Sequence, residues 1–149
     1  MLRLSKKVEY SLLALQYMAM QDDQISTAKG MSESLGISFE FLSKALQALM
    51  KKGLILSHQG IKGGYALARK PDEISVSEVI KALDDSTAVV ECFIEGTEEL
   101  CDRVSDCSIR FSMAKMQKKI NELFNMTTLA ELSLPEVKRE QKLHRLHDE

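Results

Sequence analysis

Cys92, Cys101 and Cys107 are the residues of this 149-residue chain whose type and spacing most invite chemistry. They are its only cysteines, and all lie in one stretch that ends where a helix begins. Eight residues separate the first pair and five the second. Neither gap is the two-residue spacing common in zinc fingers or thioredoxin-like sites. Three thiolates on a flexible loop can nonetheless converge on an iron–sulfur cluster, because such centres are held mainly by cysteine thiolates with occasional substitutes. Zinc with a fourth ligand, or solvent-exposed thiols without a metal, satisfy the same spacing. Spacing alone leaves metal and no metal evenly matched.

A second group of residues could meet nucleic acid. Residues 1–70 carry ten Lys and Arg against five Asp and Glu, a formal +5. Residues 71–149 carry ten against seventeen, a formal −7, and the whole chain has a net charge of −2. A basic front half joined to an acidic back half fits a nucleic-acid-binding module attached to something else; ordinary surface variation is the bland alternative. Within the front half, Leu42, Ala45, Leu46, Leu49 and Met50 recur at helical spacing as one core face. Glu40, Ser43, Lys44 and Gln47 lie opposite. Farther on, Gln59 and Lys62 sit at a glycine-rich tip, where Lys62 suits phosphate contact.

The elements that position these residues follow from periodicity and caps. A first helix is expected over Ser5–Gln21, with Ser5 as N-cap and Val8, Leu12, Leu15 and Ala19 on one face. Asp22, Asp23 and Gln24 connect it to a short helix near Thr27–Leu35, capped by Ser26 or Thr27. Gly36-Ile37-Ser38 turns the chain and caps a third helix, which Gly53 stops. Leu54-Ile55-Leu56 and Tyr65-Ala66-Leu67 flank the glycine tip as a hairpin. This order is that of a winged helix-turn-helix, whose second helix enters the major groove. Ser75-Val76-Ser77-Glu78 is a capping box opening a helix with Val79, Ile80 and Leu83 on one face. The stretch from Asp84 to Cys107 has no periodicity. Ile109, Met113, Met116, Ile120 and Leu123 then form a coiled-coil seam, read as a dimer interface with intramolecular packing as its rival. A last helix spans Thr128–Leu132, before a charged tail from Pro135 to Glu149.

The expected fold is therefore mainly α with a small β-hairpin, a winged helix-turn-helix plus a long dimerisation helix. Residues 1–70 form the DNA-binding region, 71–91 a connecting helix, 92–107 the cysteine loop, 108–132 the dimerisation helix and its return, and 133–149 the tail. No apolar run reaches the roughly 18 residues that suggest a membrane span. The periodic first helix does not read as a signal peptide, so the cytoplasm is expected. Gly60, Gly63 and Gly64 lack the strand-to-helix setting of a nucleotide loop. No paired catalytic constellation is present either, so no enzyme is expected.

Taken in order, these pieces resemble the IscR/NsrR family of bacterial transcription regulators. The resemblance is carried by Met1 to Tyr10, Gly36-Ile37-Ser38, Leu42, Lys52-Gly53-Leu54, Gly60, Gly63-Gly64-Tyr65, the Ser75–Ala82 helix, the three late cysteines and Thr128-Leu129-Ala130-Glu131-Leu132. It spans about Met1 to Leu132. It implies a winged-helix homodimer with a cluster near the end of its long helix, 2Fe–2S ahead of 4Fe–4S, whose state sets affinity for DNA. Cys92, Cys101 and Cys107 would be the cluster ligands. Some members place a histidine one turn after the third cysteine, but Arg110 stands there. His58, His144 and His147 all lie far from the cysteines in sequence. Other members borrow an acidic ligand from the partner's first helix, and Glu9 stands at that place, although it also suits a solvated carboxylate at a helix start.

The expectation is thus a DNA-binding regulator, a repressor in sense, answering nitric oxide, redox state, iron or cluster supply. Ser38, Glu40, Ser43, Lys44 and Gln47 would meet a near-palindromic operator from the recognition helix, and Gln59 and Lys62 from the wing. Rival readings are a cluster-free regulator controlled by thiols or a partner protein, an iron–sulfur electron carrier, and a dimeric scaffold.

Overall fold

Helix α1 (Lys6–Ala19) starts where Ser5 Oγ accepts the Val8 N–H at 3.3 Å, satisfying one orphan donor of the first turn. The computed structural model describes residues 3–21, 25–96 and 101–133. The expected connection at Asp22, Asp23 and Gln24, and the tail from Pro135 to Glu149, lie outside the described residues. On α1 the buried set is Val8, Ser11, Ala14, Leu15 and Met18. Leu12 and Ala19 are only partly buried, so the expected stripe is rotated. The reason is that α1 is surrounded: the later helices Ala28–Leu35, Phe39–Lys51, Val76–Ala82 and Leu129–Leu132 and the strand Gly64–Leu67 all pack on it.

Thr27 Oγ1, not Ser26, caps α2 (Ala28–Leu35). Ser26 instead pairs its backbone with Tyr65, N to O at 2.8 Å and O to N at 2.7 Å. Gly36 ends α2 in the left-handed conformation, φ 65°, which a side chain would oppose. Ser38 then caps α3 (Phe39–Lys51) by accepting the Phe41 N–H. Leu42, Ala45, Leu46 and Leu49 of α3 are buried as expected, but Met50 is exposed because it lies at the margin of that arc.

Strands β1 (Ile55–His58) and β2 (Gly64–Leu67) pair antiparallel, Ile55 opposite Leu67 and His58 opposite Gly64. The first strand runs later than Leu54–Leu56. Leu54 and Ile55 anchor it in the core while Leu56 faces out. Helix α4 (Val76–Ala82) opens on the foreseen capping box: Ser75 Oγ accepts Glu78 N–H, and Glu78 Oε2 accepts Ser75 N–H at 3.0 Å.

Helix α5 (Arg110–Met126) packs along α4 and has no fully buried residue. The expected seam divides here. Met113 and Ile120 are half-buried within the chain, whereas Ile109, Met116 and Leu123, seven residues apart, remain exposed with Met126. Short α6 (Leu129–Leu132) returns to the core on its own capping box, Thr128 with Glu131. Leu129 donates to Ile74 O and Val76 to Thr127 O, at 2.8 and 2.9 Å. The core runs unbroken from α1 through α3, β1 and α4 to Leu129.

Candidate thiol pocket and nucleic-acid interface

The outward face of α3 is polar and accessible. Glu40, Lys44 and Gln47 are exposed and Ser43 is half-buried. Lys44 Nζ donates to Glu40 Oε1 at 2.9 Å, and that contact holds the Glu40 carboxyl below the ordinary carboxylate range. The two charges therefore cancel each other until Lys44 finds another anion. Ser38 spends its acceptor on the helix cap, leaving its hydroxyl proton to donate. At the wing, Gln59 and Lys62 are both exposed. Sequence reasoning passed over two neighbours. Phe39, at the free end of α3, is 56% exposed, and Ile61 at the wing tip is wholly so. An apolar residue inside a turn was the available signal for the second.

The three cysteines line one cavity of about 620 Å³ at the start of α5, and each is half-buried. Val90, Phe93, Val104, Ile109 and Met113 give it apolar walls. Arg103 and Arg110 bring cations, Glu91 and Asp102 carboxylates. Arg110 Nη1 donates to Val104 O at 3.1 Å, pinning the loop between the second and third cysteines. The first cysteine is approached differently. Gln117 of α5 accepts the Val89 N–H at 2.7 Å and donates to Thr87 O at 2.9 Å. Asn121 Oδ1 takes bonds from both Thr87 Oγ1 and Gln117 Nε2. These two side chains hold residues 87–89, just before the Glu91–Phe93 turn that carries Cys92. Nothing in the local sequence announced that clasp.

The donor chemistry and apolar enclosure fit an iron–sulfur centre. Even so, among the described residues no three Cys, His, Asp or Glu side chains are close enough to share a metal ion. The shell closes only if the loop draws its thiols together. Glu9 is not at this pocket. It lies on α1 beside Leu12, Leu13, Gln16 and Leu132, paired with Lys6 at 2.8 Å. That carboxylate raises the Lys6 pKa, by hydrogen bond first and charge second. Within the chain, then, Glu9 sits at a helix start; the structure does not bring it to the cysteines.

A helix-turn-helix of α2 and α3 followed by a glycine-tipped wing defines a winged-helix, DNA-binding regulator. More narrowly, the chain belongs to the Rrf2 family of iron-dependent transcriptional regulators, whose model matches residues 4–134. It is 32% identical over 132 residues to the transcriptional regulator IscR of Erwinia tasmaniensis, covering 88% of this chain and 78% of that one. Among solved structures it is similar to T. potens IscR, with a TM-score of 0.68 and 28% identity over 88% and 85% of the two chains. It is also similar to CymR, the global cysteine regulator of B. subtilis, with a TM-score of 0.71 over 89% and 97%. At 24% identity that second likeness concerns the fold. The relatives are transcription regulators and not enzymes, and the resemblance read from the sequence holds at the level of the family. No helix among the described residues is long and apolar enough to cross a membrane.

Proposed function

We propose that the chain is a cytoplasmic, homodimeric repressor whose affinity for a near-palindromic operator is set by an iron–sulfur cluster on Cys92, Cys101 and Cys107. The observation that carries this reading is the shared cavity. Three thiols separated in sequence line one apolar space at the start of α5. A cluster there, 2Fe–2S ahead of 4Fe–4S, would supply a centre that nitric oxide, oxidants or iron shortage can alter. Glu9 of the partner subunit would be its fourth donor, a harder and more exchangeable ligand than thiolate. Residues 1–70 would read DNA, 71–91 connect, 92–107 hold the centre, and 108–132 dimerise. On α3, Lys44 would grip phosphate while Glu40, Ser43 and Gln47 meet base edges and Ser38 the backbone; Gln59 and Lys62 would act from the wing. A change in the cysteine loop would reach α5 through Gln117 and Asn121 and shift the spacing of the two reading heads, a population shift of the dimer.

The deciding experiment is the visible spectrum of protein purified without oxygen, with iron and acid-labile sulfide counted. A brown protein with sulfide and iron near equality supports the cluster. A colourless protein that cannot be reconstituted overturns it. A second reading has its own support in the thiols, which line one cavity together with Arg103 and Arg110 but are not gathered about one point; the cysteines would then act as thiol sensors without a metal. In that case peroxide should change DNA affinity in iron-free protein, and Cys→Ser variants should abolish the response.

A further inference from the structure

Ile61 is the most exposed large apolar side chain among the described residues, at 107% of its reference area. Neither the core nor the turn asks for it. Gly63 N–H donates to Gly60 O at 3.0 Å, closing a tight turn whose two central residues are Ile61 and Lys62. Such positions ordinarily go to Gly, Pro, Asn, Asp or Ser, and an isoleucine gains nothing by facing water.

The tip that carries it has a fixed shape. A Cβ on Gly63 would meet His58 O at 2.5 Å, and one on Gly64 would meet Ser26 O at 2.5 Å. The Ser26–Tyr65 pairing fastens the returning strand to the residue that precedes the cap of α2. The tip is thereby held at a set offset from the helix-turn-helix. Its charge is one-sided as well: Lys62 is the only Lys, Arg, Asp or Glu from Leu54 to Ala68.

We propose that Ile61 is an apolar wedge that enters the DNA minor groove beside Lys62 and partly unstacks one base step. The groove is about 6 Å wide, enough for a two-residue tip but not for a helix. Apolar side chains inserted there kink the duplex, most cheaply at TA and CA steps. The wing would then select deformable steps while Lys62 neutralises phosphate. A protein partner fits less well. A stable interface needs on the order of 800 Å² per side, and a lone apolar residue between Gly60 and Lys62 offers no such area.

This proposal rests on the DNA-binding reading, and its test separates the two. The wild-type protein first selects its site from a randomised duplex pool about 30 bp long, roughly three helical turns. Wild type, Ile61→Ala, Ile61→Leu and Lys62→Ala are then compared on that duplex for affinity, end-to-end energy transfer, and fluorescence of 2-aminopurine at the wing-facing step. Ile61→Ala should bind about tenfold more weakly, with a smaller bend and a quenched probe, at an unchanged salt slope. Ile61→Leu should restore most of the bend. Lys62→Ala should keep the bend and lower the salt slope by about 1. An Ile61→Ala protein that binds and bends like wild type overturns the wedge and leaves a protein partner as the occupant. Failure of wild type to select any duplex overturns the wedge together with the DNA-binding reading, and the first step alone decides that.

Discussion

At the scale of single residues, Lys44 is where pairing and recognition compete. Its partner Glu40 is 83% exposed and Lys44 itself 73%, and a surface pair of this kind contributes little. A phosphate can therefore displace the carboxylate. Lys44→Ala should weaken binding to all sequences and reduce the slope of log affinity against log salt by about 1. Glu40→Gln, which frees Lys44, should steepen it. Equilibrium binding at several salt concentrations checks both, and an unchanged slope for Lys44→Ala removes it from the phosphate contacts. Ser11 makes a different case. Its hydroxyl is buried inside α1 with no hydrogen-bond partner among the described residues. A buried polar group left unsatisfied costs about 1–3 kcal/mol. Ser11→Ala should therefore stabilise the fold by roughly 1 kcal/mol, and raise the melting temperature by about 2–4 °C. Calorimetry reads this directly, and a lower melting temperature would reveal a partner for the hydroxyl.

Elements are held by caps and by clasps, and the two differ in how they are tested and how they are read. Glu78 belongs to a cap. Burial pushes its carboxyl upward, but the Ser75 backbone N–H and the Arg69 guanidinium, 2.6 Å away, outweigh that and lower it from the ordinary 4.5. A depressed folded value contributes stability that is complete above the ordinary one and disappears as pH falls through the lowered one. The melting-temperature gap between wild type and Glu78→Gln should thus be constant near neutral pH and close in acid, below about pH 4. A gap independent of pH would mean that the charge of Glu78 is idle. Gln117 belongs to a clasp. Gln117→Ala removes its bonds to Val89 and Thr87, so Cys92 should react faster with a thiol reagent in metal-free protein while Cys107, at the start of α5, keeps its rate. Equal acceleration at both would point to general loosening instead. The caps at Ser5, Ser38 and Ser75 with Glu78 were legible in the sequence because they are local, each within a turn of the amide it satisfies; the Thr128 box was equally local but was not singled out. The hairpin was legible from its glycines. The rotated stripe of α1 was not, because which arc is buried depends on the elements packed around it. Nor was the clasp, in which Gln117 reaches 28 residues back to Val89. The cysteines were singled out by type; that all three line one cavity comes from the structure alone. Glu9, expected to act from a partner's first helix, faces another groove within its own chain.

Among the described residues, one long element is left half-covered, and that bears on how the molecule acts. α5 meets the rest of the chain through α4 and the clasp, while Ile109, Met116, Leu123 and Met126 expose 41–78% of their surface. Exposed apolar residues at a seven-residue interval along one helix fit pairing with a second such helix. In a two-fold dimer the α3 helices would lie about 34–36 Å apart, one helical turn of DNA, and binding would gain by avidity. Joining two heads can raise affinity by about 10²–10⁴ over one head alone. Leu123→Asp puts a charge in the middle of that stripe without touching the core or α3. It should give a monomer by light scattering, lose about 100-fold or more on a two-half-site duplex, and bind a single half-site almost as wild type does. The same variant should keep its melting temperature at concentrations where wild type is monomeric, because Leu123 is 62% exposed within the subunit. If Leu123→Asp remains a dimer with undiminished two-site binding, the α5 stripe is not the seam. The two reading heads must then be joined through another surface, and the route from the cysteine loop to DNA would have to bypass α5.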